Sequence, residues 1–266
     1  MKNFKYIKEI LIWLSIIAYL IISLSFVSEK ESQIPCSSVD VAIVDDSHNR
    51  FVEEDDIISM IYNKGGKLLG YPIDSINLAN LEELINDNPS IKKSEIYRTI
   101  NGILKIDIEQ RKPIVRIINF NNESYYIDEQ GALMPLSNNY TARVLVANGD
   151  INEPYQLNYS TDIISSSKKD ELNRHCVLCD IYNIAKFIYN DEFWRSQIEQ
   201  IYVRNGEYKL IPRVGSQVVL FGGINNLEEK FIKLEALYKQ GFSQVGWNKY
   251  KTINLKYTNQ IICTKK

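Results

Sequence analysis

Hydrophobic and polar positions alternate along this chain in three different ways. Residues 10–27, ILIWLSIIAYLIISLSFV, run 18 positions without a charge. Between 38 and 117, short strand-like runs are interleaved with apolar residues at helical spacing. From about 114 onward, period-two runs dominate and two helical segments interrupt them.

In the second regime, SVDVAIVD predicts a strand and FVEEDDIISMIYN a helix, with acidic residues at its start where the helix dipole favours them. VEEDD at 52–56 therefore reads as a helix start; it lacks the ligand spacing of a calcium loop. KGGKLLGYPIDSI is a turn-rich connector. NLANLEELINDNP predicts a second helix, with Asn77 as cap, Leu78, Leu81, Leu84 and Ile85 on one face, and Pro89 beyond its end. SIKKSEIYRTINGILKIDIEQRKPI then predicts two strands joined at Asn101-Gly102, a strong hairpin signal. The order β-α-α-β-β describes a small α+β domain with helices on one face of a three-stranded sheet. In its last strand Leu104, Ile106 and Ile108 point inward. Pro113 lacks an amide donor and holds Lys112 extended, so Arg111-Lys112 reads as a hinge and domain boundary.

In the third regime, VRIINF, ESYYIDEQGALMPLS, RVLVANGD, IEQIYVRNGEYKLIPRVGSQVVLFG and TINLKYTNQIICTKK predict a mainly antiparallel sheet. Helices at about 177–193 and 226–240 flank it. Asp128–Gly131 and Asn205-Gly206 mark turns. The polar, Ser-rich stretch 152–173 predicts a surface loop with a short strand.

The first regime spans about 27 Å as a helix, and the flanking Phe4–Glu9 with snorkelling lysines extends it to a bilayer crossing. Lys2, Lys5 and Lys8 precede it and the mixed Glu29, Lys30 and Glu31 follow, which favours a cytoplasmic N-terminus. A cleaved signal peptide has a shorter apolar region and a small-x-small site; SLSFVSEKES offers only a weak one, so an uncleaved signal anchor is the expectation. No second apolar span follows, which would leave residues 29–266 outside the cytoplasm.

Composition narrows the function classes. The net charge of −2 carries no basic excess of the kind nucleic-acid binders show. The four cysteines, Cys36, Cys176, Cys179 and Cys263, are too few for a disulfide scaffold. Cys176 and Cys179 have CxxC spacing, read as structural thiols or a plain disulfide; redox work and metal binding are the alternatives. No nucleophile elbow, P-loop, HExxH or dinucleotide fingerprint occurs, and neither His48 nor His175 sits in a motif. The expectation is a non-catalytic protein without cofactor or metal.

Several stretches, in order, resemble the cell-division family FtsQ/DivIB, in the form seen in Bacteroidetes-like bacteria. Pro89-Ser90-Ile91, Ser94 through Arg98 and Leu104 through Val115 resemble the POTRA part of that family. YYIDEQGALMP resembles the turn opening its β domain. IPRVGSQVVLFGGINNLEEKFIKLEALY resembles its strand, glycine turn and helix, and TINLKYTNQI its DLRY-x-N-Q. The family's ERxPI stands here as Glu109-Gln110-Arg111-Lys112-Pro113-Ile114, and DLRY as Asn254-Leu255-Lys256-Tyr257, so the acid of the latter is missing.

The resemblance implies a cytoplasmic tail (1–9), a transmembrane anchor (10–28), a linker (29–37), a POTRA-like domain (38–113) and a β domain (114–266). It implies a non-catalytic scaffold of the division septum in the cell inner membrane, with its bulk periplasmic. The β domain is expected to bind the FtsB–FtsL pair. The last strand, about Thr252–Ile262, is the expected edge for partner capture. Asn254, Lys256, Tyr257 and Thr258 are the contact candidates there, with Phe231 and Tyr238 from the preceding helix. Arg98 and Arg111 are contact candidates for the POTRA part, toward headgroups or a second division protein. The rival readings are a single-POTRA envelope assembly or transport module, and a membrane-anchored envelope enzyme using thiol or cell-wall chemistry.

Overall fold

The computed structural model describes residues 11–22, 34–44, 49–155, 176–242, 246–247 and 249–266. Residues 11–22 form an exposed helix, α1. Residue 10 and residues 23–28 of the expected anchor lie outside the described residues, as do most of the 152–173 loop, His48 and His175. Among the described residues, no helix is long and apolar enough to cross a membrane. The chain divides into two compact units, Met1–Asp46 with Val52–Gln110, and Ser47–Phe51 with Arg111–Lys266.

The first unit contains β1 (Ser38–Ile43), α2 (Glu54–Met60), α3 (Leu78–Asn86), β2 (Ile91–Arg98) and β3 (Ile103–Gln110). Its sheet order is β1-β3-β2, with β1 parallel and β2 antiparallel to β3. A parallel neighbour needs a long crossover, and the segment holding α2 and α3 supplies it. Both helices start where local chemistry dictates. The Asp56 carboxylate accepts from the Glu53 amide at 3.0 Å, and Asn77 Oδ1 accepts from the Asn80 amide at 3.2 Å, each satisfying a donor of the kind helix starts leave over. Leu104, Ile106 and Ile108 of β3 are fully buried, as are Ile57 of α2 and Ile85 of α3. The β2–β3 hairpin turns at Gly102, φ +79°, where Thr99 Oγ1 accepts from the Ile103 amide at 3.0 Å. Side chains of α3 reach over β2: Asn86 Oδ1 accepts from the Ser94 amide at 2.9 Å and Glu82 Oε1 from the Ile96 amide at 3.0 Å. Two outer donors of this edge strand are thereby occupied.

The second unit holds β4 (Pro113–Ile118), β5 (Ser124–Asp128), β6 (Leu133–Met134), β7 (Leu145–Gly149), α4 (Val177–Asn190), α5 (Glu192–Gln197), β8 (Ile198–Arg204), β9 (Glu207–Pro212), β10 (Val218–Gly222), α6 (Leu227–Ala236), β11 (Tyr250–Asn254) and β12 (Ile262–Lys265). The nine strands among the described residues of this unit lie in one sheet, ordered β12-β11-β10-β9-β8-β7-β4-β5-β6. The sheet is mixed rather than simply antiparallel: β4–β7, β7–β8 and β10–β11 are parallel pairs. The first spans a β5–β6 excursion; the other two cross over through helices, α4 with α5 and then α6. Ile181, Ile184 and Ile188 of α4 and Phe231 and Leu234 of α6 join one core cluster with Val115, Ile201, Val219 and Ile253 of the sheet. Trp194 of α5 is almost fully buried against Phe231 and Tyr238, ring centroids 5.1 and 5.7 Å away.

Two local observations refine the sequence reading. Arg111, expected at a hinge, belongs to the second unit and is bonded there to Asp128. Asn49–Phe51 also belong to that unit. The Phe51 ring meets Tyr126 and Tyr140 edge-on, and Tyr140 Oη donates to Asn49 Oδ1 at 3.1 Å.

Candidate functional site

The expected strand Thr252–Ile262 is two strands. β11 ends at Asn254 and β12 begins at Ile262. β11 is flanked by β10 and β12, so it is an interior strand. The sheet ends at β12, antiparallel to β11 with Ile253 opposite Cys263. Ile253 and Leu255 are buried, whereas Tyr257 is 48 % exposed. Period-two spacing would put these three on one face of a continuous strand, but the pattern stops at Leu255, because the chain leaves the sheet there.

The departing turn gathers four of the predicted residues. Asn254 Oδ1 accepts from the Lys256 amide at 3.0 Å and shapes its start. Lys256 Nζ pairs with the Glu207 carboxylate of the β8–β9 hairpin. From α6, Lys233 Nζ donates to the Thr258 carbonyl and pairs with Glu229 at 2.7 Å. A cleft of about 330 Å³ opens here, with Lys230, Lys233, Lys256, Tyr257 and Thr258 on its wall. Lys230 is largely buried; its Nζ donates to the Gly223 carbonyl at 2.7 Å and stands 4.9 Å over the Phe221 ring. Burial, and secondarily Lys233, push the Lys230 ammonium pKa below its ordinary value. Gly222 sits at φ +75°, and a Cβ there would stand 3.0 Å from Lys256 Cγ.

Phe231 and Tyr238 do not join this surface. Phe231 is 1 % exposed and stacks on Phe187 at 4.4 Å, and Tyr238 is 3 % exposed within the aromatic cluster. Their helical spacing marks the core face of α6 and of the π-helical turn Leu237–Gly241 that continues it. What α6 shows to solvent is Ile232, 65 % exposed, beside Lys233 and Glu229. Ile232 escaped the sequence reading because it lies off the apolar stripe; an isolated isoleucine among charged neighbours was its only signal.

Both arginine candidates are engaged within their own units. Arg98 Nη2 donates to the Ile76 carbonyl at 2.7 Å and to the Asp74 carbonyl at 3.3 Å. It ties the end of β2 to the segment leading into α3. Arg111 Nη1 donates to Asp128 Oδ2 at 2.9 Å, and Asp128 Oδ1 accepts from the amides of Gln130 and Ala132.

Cys176 and Cys179 form a disulfide at the start of α4, where Cys176 Sγ also accepts from the Cys179 amide at 3.1 Å. Cys36 and Cys263 are free thiols. Among the described residues, no group of histidines, cysteines and carboxylates is placed to hold a metal ion.

The first unit has the architecture of a POTRA module, and residues 34–109 match the model of a POTRA-like domain. Residues 112–264, more than half of the chain, match the model described as FtsQ/DivIB, C-terminal related. The chain belongs to the FtsQ/DivIB family. No curated protein matches it. Family membership makes it a division-associated scaffold with divisome proteins as its general class of partner.

Proposed function

We propose that this chain is a non-catalytic divisome scaffold that captures the FtsB–FtsL pair outside the cytoplasm and so helps recruit and regulate septal wall synthesis. The apolar N-terminal segment anchors it in the inner membrane with the N-terminus cytoplasmic, the POTRA-like unit contributes to septal placement, and the second unit binds the partners. One observation carries the capture mechanism: the nine-stranded sheet ends in β12, an accessible edge beside the Lys256–Thr258 turn. An open edge offers a row of unpaired amides and carbonyls to an incoming strand. The opposite end of that sheet, β6, has two residues, both buried, and in β2 the amides of Ser94 and Ile96 are taken by α3. Tyr257 supplies the large amphipathic anchor typical of interface hot spots, and Lys256 with Glu207 sets charge complementarity at the rim. The disulfide Cys176–Cys179 fits an oxidising compartment such as the periplasm.

The test is co-purification of the full-length chain with co-expressed FtsB and FtsL homologues. Deleting Ile262–Lys266 removes β12 and its side chains and makes β11 the terminal strand, while keeping buried Ile253 and Leu255; deleting from Thr252 would strip those two and confound folding with binding. Capture is expected to fall sharply in this deletion and in Tyr257→Ala. Undiminished capture by both variants would sink the proposal.

A further inference from the structure

A second cleft in the second unit lies away from β12. It encloses about 590 Å³ where β4, β7 and β8 begin, beneath the C-terminal end of α4. The sheet order puts β7 five strands from β12, which at about 4.8 Å per strand separates them by roughly 24 Å. Buried Ile114, Leu145, Ala185, Ile188 and Ile198 contribute its apolar floor. Three arginines reach its wall from three different places: Arg143 just ahead of β7, Arg195 on α5, and Arg213 just past β9.

Little neutralises these guanidinium groups. Arg213 Nε stands 4.0 Å from Glu199 Oε2, a loose and exposed pair. Arg195 lies 5.8 Å over the Tyr189 ring, a contact that brings no counter-charge. Arg143 has no ion-pair or hydrogen-bond partner among the described residues. Among the described residues Glu199 is the single acid on the wall, against three arginines, in a protein whose net charge is −2. Backbone bonds hold the bases of two of them: the Arg213 amide donates to the Gln197 carbonyl at 2.7 Å and the Arg195 amide to Asp191 at 2.9 Å. On the same wall Gln200 Nε2 donates to Asn148 Oδ1 at 2.8 Å. That bond leaves the Gln200 carbonyl oxygen free to accept and an Asn148 N–H free to donate toward a peptide main chain.

We infer that this cleft is a second partner site, which takes an extended acidic peptide segment whose carboxylates pair with Arg143, Arg195 and Arg213 and whose apolar side chains cover the floor. Guanidinium forks bind carboxylates in bidentate fashion. A bare phosphate would satisfy the arginines and leave the apolar floor wet, whereas a peptide fills a cleft of this size and also meets the amide pair. The site is independent of the β12 edge, so failure of either proposal leaves the other standing.

The test is a calorimetric titration of the full-length chain, in detergent, with acetylated, amidated Glu-Leu-Glu-Leu-Glu. Controls are the same peptide with glutamine for each glutamate, the same peptide with serine for each leucine, and inorganic pyrophosphate. The parent peptide is expected to bind, and Arg143→Gln with Arg195→Gln and Arg213→Gln is expected to weaken it by about tenfold or more. Arg143→Glu alone, at an exposed and unpaired position, should weaken it with the fold intact by circular dichroism. Lys256→Gln should leave it unchanged. Equal binding by the triple variant, or no binding by the parent chain, overturns the inference. So does a serine peptide as tight as the leucine one together with full displacement by pyrophosphate, which would make the cleft a simple anion site.

Discussion

Arg111 Nη1 lies 2.9 Å from Asp128 Oδ2, and this one bond joins the basic pair after β3 to the turn that follows β5. Asp128 is 1 % exposed at its side chain and Arg111 17 %. The aspartate also receives two amides of its own turn, from Gln130 at 2.9 Å and Ala132 at 2.7 Å. A buried carboxylate with three donors is well satisfied, and removing the cationic partner strands its charge. Arg111→Ala should therefore destabilise the second unit by about 3 kcal/mol, the lower end for a broken buried pair because the two amides remain. Urea denaturation followed by tryptophan fluorescence checks this, since Trp194 reports on that unit's core. A double cycle with Asp128→Ala should show strong coupling.

Two glycines, both at positive φ, should respond very differently. Gly149 ends β7 at φ +107°, and a Cβ there would sit 2.1 Å from the Val203 carbonyl oxygen across the ladder. Gly206 turns the β8–β9 hairpin at φ +72°, where a Cβ meets nothing within 4 Å. Gly206→Ala should cost only left-handed strain, about 1 kcal/mol. Gly149→Ala must also displace backbone between two sheet strands and should cost several times more, to the point of abolishing soluble expression. Thermal midpoints of the two variants give the comparison.

Alkaline pH should weaken the second unit through two buried phenols. Burial pushes the Tyr238 pKa up to about 12 against an opposing pull from Gln217, and Tyr238 Oη is buried without a hydrogen bond of ordinary geometry among the described residues. Burial, followed by the 2.8 Å bond to Asp180, pushes Tyr208 well above its ordinary value. In the unfolded chain both ionise near pH 10, so there the unfolded state loses protons that the folded state keeps. The contribution of Tyr238 is whole below pH 10 and falls away as pH rises toward about 12. That amounts to about 3 kcal/mol over two pH units. Tyr238→Phe should flatten this slope and leave neutral-pH stability equal or improved, since it removes an unbonded hydroxyl. Urea midpoints between pH 9 and 12 for both proteins decide it.

Much of the fold was legible because local patterns carry it. The period-two burial of Leu104, Ile106 and Ile108 needs only one half-buried strand face. Asn205-Gly206, both at positive φ, fixes a hairpin from two residues. Pairing order is different, since it depends on residues far apart. Nothing in RVLVANGD shows that β7 inserts between β4 and β8 in parallel, which is why the sheet read as mainly antiparallel. At the site, TINLKYTNQI kept its alternation in sequence while the chain left the sheet after Leu255. Phe231 and Tyr238 read equally well as core or contact, because burial in a core and burial in an interface select the same apolar side chains. The arginine cleft was invisible for the opposite reason: Arg143, Arg195 and Arg213 lie far apart in the chain and share no motif.

Cys263 offers a direct readout of the β12 edge. It is a free, half-buried thiol in the middle of that strand, opposite Ile253. Burial raises its pKa above the ordinary thiol value, so its reactive thiolate is scarce at neutral pH and alkylation should be slow, quickening as pH rises. In a Cys36→Ser chain the disulfide occupies the other two cysteines, and Cys263 becomes the single alkylation site. An incoming strand paired along β12 would cover this side chain from the open side. Iodoacetamide modification at pH 8.5, followed by intact mass, should slow by about tenfold when the FtsB and FtsL homologues are bound at saturation, as protection of a strand amide or thiol tracks its opening. The Tyr257→Ala chain should lose that protection in proportion to its lost capture. An unchanged rate in a saturated complex would place the partners elsewhere on the second unit, and the β12 mechanism would fall even with capture intact.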